Sequence, residues 1–125
     1  SDSAIASIEY AVAVLDVSLI IVLAHDQCGA VRAAIDSTAL DAPELPPHIW
    51  RLIAKIVPAV KRVLRASDGA TAETIDPELV GREHLRNTVD ELMASSRLIS
   101  DAVAEGRLAI GEGTAVPQVT VGIDD

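Results

Sequence analysis

Apolar side chains recur at spacings of three and four through the first fifteen residues, at Ile5, Ile8, Val12 and Leu15. That spacing predicts a helix over 1–15, with Asp2 or Ser3 placed to cap it and Asp16 in the turn that follows. The pattern then changes. Val17 to Leu23 is an almost unbroken apolar run rich in β-branched residues, which predicts a strand buried on both faces of a helix-covered parallel sheet. Ala24 to Gly29 is a polar break, and Ala30 to Ile35 returns to helical spacing.

Beyond it, residues 37–47 carry three prolines and read as an irregular connection. Pro47 can open a helix from His48 to about Arg65, which Pro58 should kink or split. Residues 67–75 are small and polar and predict a loop. Asp76-Pro77 is an N-cap followed by a first-turn proline, and it predicts a long helix to about Ala104. Leu85, Val89, Leu92, Leu98, Ile99 and Val103 form its stripe, and Gly106 provides its stop. Arg107–Ile110 and Val116–Ile123 are short strand candidates. The order predicts an α/β fold, a mostly parallel sheet flanked by helices, with too few strands for so apolar a chain. The expectation is one partial domain over 1–125.

Composition narrows this. Half of the 125 residues are hydrophobic, yet there is no Phe and one Trp and one Tyr, so the core must be aliphatic. The formal charge is −9 at pH 7, which disfavours nucleic acid and anionic membrane as partners. No apolar run approaches the roughly 20 residues that span a bilayer, and no basic region followed by an apolar stretch suggests a leader. The single cysteine excludes an internal disulfide and fits a reducing compartment, the cytoplasm.

Candidate chemistry lies in the polar break. In open α/β sheets ligands sit beyond the carboxyl ends of strands. His25 and Cys28 fall there, with Cys28 where helix 30–35 begins and where free amides and the helix dipole favour an anionic ligand atom. Imidazole plus sulfur suits Zn²⁺. The bland alternative, Cys28 as a small buried hydrophobe and His25 as a turn residue, stands beside this. So does a third reading, Cys28 as nucleophile with His25 as base.

The flanking residues add a resemblance. Ser7-Ile8-Glu9-Tyr10-Ala11, then Leu19 to Val31 with His25-Asp26-Gln27-Cys28-Gly29-Ala30, is similar to the β-class carbonic anhydrases, in their bacterial plant-like branch. There the pattern is S-[IL]-E-Y-A, a buried strand and G-H-x-x-C-G-A. The similarity continues through Arg82-Glu83-His84-Leu85 and Glu105 to Ile110. It implies a zinc enzyme that hydrates carbon dioxide reversibly to bicarbonate and a proton by metal-bound hydroxide, and that forms a homodimer or tetramer. It implies that His25 and Cys28 are zinc ligands, that Tyr10 borders the substrate pocket, and that the backbone of Gly29 lies near the metal.

The chain also departs from the family pattern. The first family ligand lies in an upstream C-x-D-S-R motif that is absent here, so two protein ligands are present where a catalytic zinc takes three. Ala24 replaces a glycine, and Gly111-Glu112-Gly113 stands where the family strand continues. Asp26, His48 and His84 read as a turn residue and helix residues, not ligands. Trp50 reads as packing or interface, Met93 as core, Glu9 as helix surface or cap, and Arg32 and Arg51 as ion-paired surface. A metal-free homologue acting as a dimerising or binding module is the alternative function.

Overall fold

In a computed structural model, which describes residues 2–25 and 28–115, the chain is an α/β arrangement of six helices and two strands among those residues. In chain order these are α1 (Asp2–Ala13), β1 (Leu19–His25), α2 (Gly29–Asp36), α3 (Pro47–Ala54), α4 (Val57–Ala66), α5 (Pro77–Ser95), α6 (Arg97–Ala104) and β2 (Ala109–Ala115). The two strands pair in parallel, from Leu19 opposite Ala109 to His25 opposite Ala115. All the intervening helices serve as the crossover that a parallel pair requires.

The core is aliphatic, as the composition predicts, and it lies in two clusters. One joins α2, α3, α4 and α5 through Ala34, Ile35, Ile53, Val60 and Val80. The other joins α1, α5 and α6 to the start of β2 through Val12, Leu92, Ile99, Ala102 and Leu108. Met93 packs against the second cluster, partly buried. Asp76 caps α5 as expected, accepting from the Glu78 amide at 2.9 Å. Gly106 sits at φ 77° just beyond α6, the left-handed stop that glycine adopts without steric cost.

One expectation is met and three change. The helix through Pro58 is split in two, as its proline predicts, because Pro58 lies in the first turn of α4 and its missing amide cannot continue α3. The long helix to Ala104 also breaks, at Ser96, whose extended backbone (φ −135°, ψ 109°) ends α5 and whose side chain starts α6. β2 begins at Ala109, two residues after the predicted start at Arg107, and runs on through Gly111-Glu112-Gly113 to Ala115, because pairing with β1 carries that backbone whatever its side chains. The candidate strand 116–123 and the acidic tail lie outside the described residues.

The third change concerns β1, which is not buried on both faces. Leu19, Ile21 and Leu23 are 52%, 58% and 63% exposed. Helix α5 packs on β1, and the alternating residues Ile20 and Val22 are half-buried. On the uncovered face β2 offers only Gly111 and Gly113 beside Ile21 and Leu23. Full burial of one such side chain is worth about 1.5–3 kcal/mol, so this face forfeits several kcal/mol.

Candidate metal centre

Cys28 is the N-cap of α2. Its backbone is extended (φ −72°, ψ 119°), and its carbonyl accepts the first helical bond, from the Arg32 amide at 3.0 Å. Its side chain caps no amide, and its thiol is free and half-buried. The thiol therefore stands uncommitted at the positive end of a helix, where a charged sulfur ligand is favoured. His25 is the last residue of β1, paired with Ala115. The direction of its imidazole, like the whole of Asp26, lies outside the described residues. Gly29 opens α2, and a Cβ there would meet nothing within 4 Å, so no described contact requires glycine.

Cys28 faces a cavity of about 280 Å³ whose lining is mostly apolar and comes from β1, α2, α5 and Ile56. The polar group across it is one that sequence reasoning set aside, His84. Its Nδ1 is buried with no hydrogen-bond partner among the described residues, and its carbonyl takes the Thr88 hydroxyl at 2.9 Å. Burial holds the imidazole below its ordinary pKa, against a smaller pull upward from the Glu91 carboxylate. A sequence signal existed. Gly81, His84 and Thr88 recur at helical spacing and form a small and polar stripe on the side of α5 that meets this cavity.

A pH dependence follows. The unfolded imidazole takes its proton near pH 6.5, whereas the folded one resists it to lower pH. The unfolded state thus binds more protons below about 6.5, and stability falls as pH drops from there through the folded value. Denaturant midpoints at pH 7.5 and 5 should differ more for the native chain than for His84→Asn. An equal difference would remove His84 from the pH response.

The donors present, a thiol and imidazoles, suit zinc in kind. Among the described residues, however, no three His, Cys, Asp or Glu side chains converge to hold an ion. Tyr10 does not line the Cys28 cavity, and its side chain on α1 is 57% exposed. His48 and Arg51 are exposed on α3. Arg32 pairs with Asp36 at 3.3 Å and donates to the Ala72 carbonyl at 3.0 Å, a surface ion pair as expected. Trp50 is half-exposed. Glu9 accepts a hydrogen bond from Ser96.

The carbonic anhydrase family model matches residues 1–116. The chain belongs to the β-class carbonic anhydrase family. Carbonic anhydrase 2 of Mycobacterium tuberculosis is 42% identical over 111 residues, which is 87% of this chain and 50% of that protein. The carbonic anhydrase of Mycolicibacterium smegmatis is 36% identical over 110 residues, with the same two shares. The chain thus spans about half the length of the curated relatives it matches. The parallel β1–β2 pair with its flanking helices is a partial β-carbonic anhydrase fold. No described helix is long and apolar enough to cross a membrane.

Proposed function

We propose that the chain is part of one carbonic anhydrase domain that catalyses the reversible, zinc-dependent hydration of carbon dioxide to bicarbonate and a proton. The observation that carries this reading is the family match over residues 1–116, with the free thiol of Cys28 at the start of α2 and His25 three residues before it, at the carboxyl end of a strand.

In this reading Cys28 and His25 would be two of the residues that hold the metal. When bound, zinc supplies a Lewis acid that makes water a nucleophile near neutral pH. The chain's residues do the rest. The first amides of α2 stabilise the anionic sulfur. The apolar wall of Val22, Ala24, Val31 and Leu85 provides a dry surface suited to an uncharged, linear substrate. Tyr10 and Gly29 belong to the substrate side of the site by family pattern alone. The protein acts in the cytoplasm as a homodimer or tetramer, a proposal supported by the lone free cysteine and by the apolar side chains exposed on β1.

Cobalt substitution tests it. Titrating the metal-free chain with Co²⁺ should give a sulfur-to-cobalt absorption band that saturates near one ion per chain and is displaced by Zn²⁺. Carbon dioxide hydration should depend on added Zn²⁺ and be lost with a chelator. A folded chain that binds neither ion would support the metal-free dimerising module instead.

A further inference from the structure

The net charge of −9 conceals an uneven distribution. Residues 45–67, which form α3 and α4, hold Arg51, Lys55, Lys61, Arg62 and Arg65 and no Asp or Glu. Half of the 10 cations and none of the 19 acids fall there, so the segment carries +5 and the rest of the chain −14. All five side chains are exposed. Among the described residues only Arg62 has an ion-pair partner, Glu83 at 3.3 Å. At about 100° per residue, Trp50, Arg51, Lys55 and Leu52 follow one another round the outer side of α3, opposite the buried Ile53. Two exposed apolar side chains thus flank two unpaired cations, on a helix whose inner side is already packed.

An acidic surface adjoins this one. An open cavity of about 480 Å³ is lined by Asp36, Asp41, Pro43 and Glu73 together with Arg32. Arg32 pairs with Asp36 at 3.3 Å. Asp41 and Glu73 are exposed and have no ion pair among the described residues. The cavity lies close to the start of α3, because Pro43 lines it, Pro47 opens α3, and four residues span at most about 14 Å. Glu73 lies in the connection that leaves α4. Leu40, the residue before Asp41, is fully exposed.

We propose that this face, α3 and α4 with the acidic cavity beside them, is a two-fold interface between two copies of the chain, in which the α3–α4 cations of each copy pair with Asp41 and Glu73 of the other. In a two-fold contact each patch meets its neighbour's counterpart in both directions. Two basic patches alone would repel, and so would two acidic ones. A basic patch beside an acidic one is self-complementary. Trp and Arg are also the side chains that interface cores favour. A phospholipid surface or a nucleic acid fits less well. Either presents one sign of charge over a wide area, so reaching the cations would also press anions against Asp41, Glu44, Asp68 and Glu73. The inference deepens the homodimer reading by naming a face for it, and is independent of zinc.

Sedimentation velocity tests it, on the whole chain in chelator and reductant, so that neither a metal nor a Cys28 disulfide joins copies. The chain should dimerise in about 20 mM NaCl, and its dissociation constant should rise about tenfold or more in 1 M NaCl, where the Debye length is about 3 Å. The sole tryptophan, Trp50, should emit at shorter wavelength in the dimer. Arg51→Glu with Lys55→Glu makes the face more acidic, and Asp41→Lys with Glu73→Lys makes it more basic. Each double variant alone should dimerise at least about tenfold more weakly, and their equimolar mixture should recover the native affinity to within about threefold. Far-ultraviolet dichroism checks the fold of each. A native chain that stays monomeric at low salt would overturn this interface and the homodimer reading together. A dimer indifferent to salt and to both reversals would overturn this interface alone and assign association to another face. A mixture no tighter than its components would overturn the charge pairing between copies. A monomer whose Trp50 emission shifts only with phosphatidylserine vesicles would give the face to a membrane instead.

Discussion

Cys28→Ser is expected to remove metal binding while leaving the fold as stable as before, or slightly more so. The chain has one thiol, at Cys28. A serine hydroxyl stays protonated at neutral pH and is a poor ligand for a borderline-soft ion. Loss of a partner outside the coordination sphere already costs 10–100-fold in metal affinity, so loss of the ligand itself should cost about 100-fold or more. Stability should move the other way. Cys28 has the extended backbone of an N-cap but makes no side-chain cap. Serine is among the best residues at that position, worth about 1 kcal/mol over a non-capping one. The readouts are the cobalt band at a fixed metal concentration and the denaturant midpoint without metal. A variant that holds cobalt as tightly as the native chain would take Cys28 out of the site. A variant that loses the metal and also unfolds would show Cys28 to be structural.

The legible parts of the fold were those with a local cause. Asp76-Pro77, Pro58 and Gly106 act through their own backbone, and each starts, divides or ends a helix where its chemistry requires. The buried run that became β1 announced a strand by composition alone. Which of its faces is covered was not legible, because that depends on what packs across it, and a continuous apolar run looks the same either way. Ser96 escaped for a related reason. It carries no proline or glycine signal, and the apolar stripe passes through it with only a shift of phase. Beside its local cap on the Ile99 amide it also holds a partner 87 residues away, Glu9. The placement of His25 at a strand end and of Cys28 at a helix start was readable because both are local features. His84 was readable only as part of the Gly81–His84–Thr88 stripe, because its buried Nδ1 without a partner among the described residues is a property of the folded surroundings.

Ser96→Ala should be among the most destabilising single changes in the chain, at about 2–4 kcal/mol. Ser96 is 1% exposed. Its Oγ donates to Glu9 Oε2 at 2.5 Å and accepts from the Ile99 amide at 3.2 Å. The first contact, short enough for a charge-assisted bond, ties α1 to the α5–α6 junction. The second starts α6. Alanine removes the cap, which costs about 1 kcal/mol. It also strips a half-buried carboxylate of its donor, a loss of about 1–3 kcal/mol. A double-mutant cycle separates the two effects. In a Glu9→Ala background the same change should cost only the cap, about 1 kcal/mol. A coupling near zero would mean that the Glu9 contact adds nothing. A substantial coupling would establish that the Ser96 hydroxyl ties α1, through Glu9, to the α5–α6 junction alongside the Val12 contacts. Loosening that contact should then let α1 exchange its amides ahead of global unfolding, while α4, in the other core cluster, stays protected.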